Sequence, residues 1–183
     1  GVLQGEAFVR FEDKDLLLLL AGFSNQYTGA QKIGHLFAAY TSLIGGFGGT
    51  VQAATPPFSV VLHPNQYHAI AEDLAGLTSG VLLAGGTLSG GVREEALNKY
   101  LVKSLAGMNI YIDGNIPAST PADGGMFAKP GLVYVPFRAM RTEQFWDIKQ
   151  QGTDVVTTCI YGAGERFDSY GVNFHTTSST PTS

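Results

Sequence analysis

Five consecutive leucines, residues 16–20, constrain this chain more than any other stretch. A helix that carries them is apolar around its whole circumference, so its last turn has to be enclosed by other elements. Upstream, Phe8, Phe11 and Leu18 fall on one helical face, with Arg10, Asp13 and Lys14 opposite. Gly22 suits the position just past the helix end, where a left-handed residue stops the turn. Leu18→Asp is therefore expected to leave the polypeptide insoluble, since an unpaired buried charge costs roughly several kcal/mol. Gly1 opens inside this helix with no Met, leader or capping residue before it, so the helix is expected to be the later half of a longer one.

Thr28 and Gln31 have the T-x-x-Q spacing of a capping box, which predicts a helix after them. Ile33, Leu36, Phe37, Tyr40 and Ile44 supply its apolar stripe, and Gly45-Gly46 ends it. Residues 45–57 form a Gly-rich, Pro-closed connection, a candidate lobe boundary. Residues 58–62 read as a short buried strand. Pro64 then sits at a first helical position, where its missing N–H costs nothing, and His63 is the N-cap. Leu62 and Tyr67 are spaced as a hydrophobic staple, and Tyr67, Ile70 and Leu74 form the buried face.

Residues 77–91 predict a mobile loop and residues 93–106 a charged helix, with Glu95 and Lys99 four apart and Gly107 as its stop. Residues 108–112 read as a strand closed by the turn pair Asp113-Gly114, and residues 116–130 as irregular chain. Strands are expected at 132–135, 144–148, 153–161 and 170–175, and disorder in the Ser/Thr/Pro tail at 177–183. Helices come early and strands late, a segregation that predicts an α+β fold.

No chemical constellation stands out. Gly45-Gly46-Phe47-Gly48-Gly49-Thr50 and Gly85-Gly86-Thr87-Leu88-Ser89-Gly90-Gly91 both lack the lysine of a phosphate loop. His63 and His68 are five apart, which does not put two ligands on one helical face, and His35 lies off the stripe of its helix. One cysteine, Cys159, excludes an internal disulfide and reads as a buried thiol in a strand. The stretches around Ser24 and Ser89 both miss G-x-S-x-G. Glu12, Asp13 and Asp15 read as a solvated patch, Glu165 as the ion partner of Arg166, and Glu143, Asp147 and Asp154 as charges on the outer face of strands. The expectation is no catalytic, cofactor-binding or metal-binding residue.

Only 14% of residues are charged, against roughly 25% in an average domain, which leaves surface better suited to protein contact than to solvation. The net charge of −4 argues against nucleic-acid binding through a basic face. No apolar run approaches the ~20 residues of a membrane-spanning helix.

From Asp15 onward the order of segments resembles tailed-phage major capsid proteins of the Hong Kong ninety-seven type. Asp15-Leu16-Leu17-Leu18-Leu19-Leu20-Ala21-Gly22-Phe23-Ser24 resembles the end of the family's spine helix, and an amphipathic helix at 33–44 follows. Val60-Val61-Leu62-His63-Pro64-Asn65-Gln66-Tyr67-His68-Ala69-Ile70 is similar to its strand-into-helix corner. Residues 107–112 resemble the strand after its long axial helix, and residues 125–134 the segment before the closing sheet. Residues 141–147, 155–161 and 167–172 resemble its terminal strands.

The resemblance implies a spine helix with peripheral and axial lobes: residues 1–49 on the peripheral side, 50–138 mostly axial, 139–176 returning to the periphery, and a tail at 177–183. The family's N-terminal arm, extended loop and first half of the spine helix have no counterpart here. It further implies a structural, non-enzymatic subunit that self-assembles as pentamers and hexamers into an icosahedral shell around double-stranded DNA. Decoration or scaffolding proteins would be further partners. Such a chain would reside in the virion after assembly in the host cytoplasm, with no cofactor and no membrane. The alternatives are an encapsulin-type nanocompartment shell and a soluble enzyme or ligand-binding domain.

Overall fold

The computed structural model describes residues 2–81, 104–105, 107–117, 121–149 and 151–177, with residues 2–4, 74–81, 104, 105 and 147 by backbone only. Its elements are α1 (Val2–Leu18), a 3₁₀ turn (Leu19–Gly22), β1 (Gln26–Ala30), α2 (Ile33–Ile44), a one-turn α3 (Gly46–Gly49), β2 (Phe58–Leu62) and α4 (Pro64–Val81). After these come β3 (Ser104–Leu105), β4 (Met108–Ile112), β5 (Ala122–Ala128), β6 (Leu132–Asp147), β7 (Gly152–Glu165), a 3₁₀ turn (Asp168–Tyr170) and β8 (Gly171–Thr177).

Six strands form one mixed sheet in the order β1-β8-β5-β2-β4-β3, and β6 with β7 forms a separate two-stranded hairpin. In the large sheet β1 runs parallel to β8 and β2 parallel to β4, while β5 is antiparallel to both β2 and β8. One core packs α2, through Ile33, Leu36, Ala39 and Leu43, and Ile70 of α4 against the sheet residues Phe58, Val60, Met108, Met126 and Phe174. A second, smaller core gathers Leu17, Leu20 and Phe23 with Ile116 and Ala122, and Val61, Phe127 and Leu132 pack against it. The helices and strands together bear out the α+β expectation.

The strand-to-helix corner forms as expected. His63 Nδ1 accepts the Asn65 backbone N–H at 3.2 Å, and Gln66 Oε1 accepts the His63 N–H at 3.0 Å, a capping box built from His and Gln. The same Gln66 amide nitrogen donates to Ala122 O, Phe174 O and Thr176 Oγ1 at 2.7–3.1 Å. Gln66 is fully buried, so this one side chain ties the start of α4 to β5 and β8. Gly124 of β5 gives it room, since a Cβ there would lie 2.7 Å from Gln66 Oε1.

Several expectations are corrected. The five leucines are not enclosed all round: Leu20 is 1% exposed but Leu18 is 52% exposed. The chain tightens from α-helix to 3₁₀ after Leu18. With three residues per turn Leu17 and Leu20 line up inward and Leu18 is carried outward. Phe11, on the expected buried face, is also largely exposed. Thr28 does not cap α2; it lies in β1, and the Ile33 N–H is instead accepted by Asp73 Oδ2 of α4 at 3.0 Å. Gln31 turns inward, and neither atom of its side-chain amide finds a partner.

The buried arc of α2 is rotated from the expected stripe. Leu36, Ala39 and Leu43 are buried with the sheet residues in one core, while Phe37 and Ile44 are exposed. Residues 77–81 belong to α4 rather than a loop, and residues 104–105 pair with β4 rather than extending a helix. The loop expected through residue 91, beyond residue 81, the body of the helix expected at 93–106 and the tail expected beyond Thr177 fall outside the described residues. Residues 122–128, expected to be irregular, are β5 inside the large sheet. The two strands expected at 132–135 and 144–148 are one 16-residue strand, β6.

Candidate assembly surface

Three carboxylates fix α1 to what lies beneath it. Glu12 Oε1 accepts the Tyr134 hydroxyl of β6, and Asp15 Oδ2 accepts the Tyr161 hydroxyl of β7 at 2.7 Å. Asp13 Oδ2 accepts Asn115 Nδ2 from the turn after β4 at 2.6 Å. Glu12 and Asp15 are three apart and share a helical face, while Asp13 points elsewhere. The expected solvated patch is thus the attachment of the helix to the hairpin and to the sheet.

This joint shifts its titrations. Burial raises Asp13, and nearby Asp113 adds to the rise, against the lowering effect of the Asn115 hydrogen bond. Tyr161 is pushed up to about 12, first by its hydrogen bond to Asp15 and then by desolvation and the charges of Asp15 and Glu12. Desolvation and then Glu12 raise the Cys159 thiol, a half-buried group on β7 rather than a core residue. Between α1 and the hairpin lies a groove of about 180 Å³ lined by Phe8, Val9, Pro136, Met140 and Cys159 among others.

Beyond the joint, the hairpin is apolar and open. Phe137 is 78% exposed, Trp146 62% and Ile148 81%, and Val135, Met140, Phe145, Val156 and Ile160 are exposed with them. More than half of the exposed large apolar side chains among the described residues lie on this hairpin and its turn. Neighbouring residues on a strand point to opposite faces, so Phe145 and Trp146 place apolar surface on both sides. A two-stranded ribbon is marginal alone in water, and exposed apolar side chains in this number suit a contact surface. Val9, Phe11 and Leu18 extend the exposed apolar surface along α1.

The other candidate groups have structural partners. His68 lies 3.3 Å from Glu72, one turn on, and His35 stacks on Tyr27 at 5.6 Å between ring centres. His175 Nδ1 meets Asp123 Oδ1 at 2.6 Å across the β5–β8 pair. Burial lowers His35 and His63. Glu165 is raised by burial and by Asp168, whose own carboxylate accepts the Ser24 N–H at 2.7 Å. Arg166, expected to pair with Glu165, lies over the Phe167 ring at 5.0 Å. Glu143 pairs with Arg141 at 2.9 Å on the exposed strand. Among the described residues no group of three His, Cys, Asp or Glu side chains is placed to hold a metal ion. No described helix is long and apolar enough to cross a membrane.

No known protein-family model matches this sequence, and no curated protein matches it. Solved structures do. The capsid structure of the cyanophage P-SCSP1u superposes with a TM-score of 0.63 at 13% identity, covering 97% of this chain and 65% of that one. The fold is that of a phage capsid chain. A structure of Mycobacterium phage Che8 gives a TM-score of 0.66 at 17% identity over 93% of this chain and 60% of its own. The asymmetric unit of the bacteriophage PhiM1 mature capsid gives 0.61 at 13% over 96% and 63%. The capsid fold is therefore matched along nearly the whole of this chain, which spans 60% to 65% of the length of these three. Sequence reasoning reached this fold through the order of segments but missed the hairpin as its most exposed apolar part. The uncharged run at 155–161 was the available signal.

Proposed function

We propose that this chain is the structural subunit of an icosahedral phage capsid and works by burying its surfaces against other copies of itself. The observation that carries the reading is the capsid fold combined with a long apolar hairpin that the other described residues leave open. Binding energy in such a shell comes from interface area, in which apolar residues fill the centre and polar ones the rim. Copies would close into pentamers and hexamers, with decoration or scaffolding proteins as further partners. The six-stranded sheet with α2 and α4 is the axial lobe in this reading, and α1 with the hairpin is the peripheral lobe. That moves β1 and β8 to the axial side of the boundaries drawn along the chain, because both pair within the large sheet.

The net charge of −4 suits a container that holds double-stranded DNA without gripping it through phosphate contacts. The subunit would reside in the virion after assembly in the host cytoplasm, and it would carry no catalytic site. The viral source of the matched structures favours this shell over an encapsulin-type compartment. Negative-stain microscopy of the purified full chain tests the reading. Closed particles of uniform diameter are expected, and a dispersed monomer at high concentration would remove it.

A further inference from the structure

We propose that the outer edge of β7 receives the same edge of a second copy, antiparallel, about a two-fold axis at Thr158. This rests on the capsid reading and deepens it by naming the strand through which copies meet. β6 and β7 pair only with each other, so among the described residues each has one backbone edge with no strand beside it. The two edges are unlike. β6 contains Pro136, which has no N–H to offer, and its register shifts between Pro136 and Arg138 and again between Arg138 and Arg141. The extra residues of both irregularities are on β6. Proline, bulges and charges such as Arg138 and Arg141 are the devices by which an edge refuses another strand.

β7 has none of them from Val155 to Tyr161. Val155-Val156-Thr157-Thr158-Cys159-Ile160-Tyr161 holds no charge, no proline and no glycine, and most of its residues are β-branched. An edge with these properties is a template for strand addition. A second copy satisfies it without any like-charge contact. With Thr158 on the axis, Val156 faces Ile160 of the partner subunit and Val155 faces Tyr161 of the partner subunit. Asp154 faces Gly162 of the partner subunit, and Glu165 faces Gln151 of the partner subunit. Neither acidic residue of β7 then meets another acid. Val156 and Ile160, both exposed in the single chain, cover each other across the axis on one face. Pairs of β-branched residues, and Thr opposite Thr, are favourable cross-strand neighbours. The contact is isologous, as a two-fold requires.

The test uses the full chain carrying Thr158→Cys with Cys159→Ser, so that one thiol remains. Directly opposed antiparallel residues have Cα atoms about 4.5–5.5 Å apart, inside the range a disulfide bridges. Mild oxidation is expected to give disulfide-linked dimers within closed particles. Linked dimers without particles would keep the strand pairing and overturn the capsid reading. Particles without linked dimers would overturn the pairing and leave the capsid reading standing. A second pair of variants guards against a local defect. Thr158→Asp and Thr158→Lys, at an exposed position, should each lose association alone and regain it when mixed. Wild-type association by either variant alone would overturn the pairing.

Discussion

The six-stranded sheet and the β6–β7 hairpin obey opposite rules within one chain. In the sheet, the inward side chains of β2 and β8 are almost wholly buried, and the fully buried Gln66 of α4 spends its hydrogen-bonding capacity on β5, β8 and its own helix start. In the hairpin, large apolar side chains stand in water and β6 carries two irregularities. The sheet is finished by its own chain. The hairpin has the composition of an interior that the described residues do not build around it, and in the proposed shell other copies supply it. A lesion in the sheet should therefore act on folding, and a lesion in the hairpin on association.

The sharpest case lies at the end of α1. Leu20→Asp puts an unpaired charge in the small core beneath the helix and is expected to yield no folded protein. Leu18→Asp, two residues away and half exposed, should leave the single chain folded, as far-ultraviolet circular dichroism and a cooperative thermal transition would show. Equal damage from both would mean that the leucine run is enclosed after all. Gln66→Leu comes next. It strands two strand carbonyls, the Thr176 hydroxyl and the His63 N–H in a buried site, and should cost about 3 kcal/mol or more in denaturant unfolding. On the hairpin, Phe137→Ser and Trp146→Ser should change unfolding by no more than about 0.5 kcal/mol while lowering association in sedimentation.

The joint between the two regions should respond to pH. Tyr161 is raised from 10.0 to about 12 in the fold, so the folded state holds the proton more tightly. Its contribution is complete below the unfolded value and is lost as pH rises from 10.0 through about 12. Tyr161→Phe should flatten the alkaline limb of stability over that window. Asp13 is also raised, so its contribution is present below its ordinary value of 3.8 and is lost as pH climbs through the raised one. At neutral pH the ionised carboxylate is thus a small burden, and Asp13→Asn should slightly raise the melting temperature. A fall would show that the Asn115 hydrogen bond outweighs desolvation.

What the sequence by itself determined lies within a few residues of its own signal. The corner at residues 58–70 was legible because a strand end, Pro64, and the N-cap at His63 act over one turn of chain. β4 and its Asp113 turn were legible for the same reason, with Asp113 Oδ1 accepting the Asn115 N–H at 2.8 Å. The tertiary structure alone decided which leucine faces inward, since that depends on where the helix tightens to 3₁₀. It alone set Asp73 as the cap of α2, 40 residues away, and Gln66 as the tie to strands more than 50 residues on. β5 was hidden because Gly124 and Gly125 carry no strand signal; they are small where Gln66 and Leu20 press against the sheet. Burial depends on what lies across the space from a residue, and along the chain that neighbour can stand anywhere.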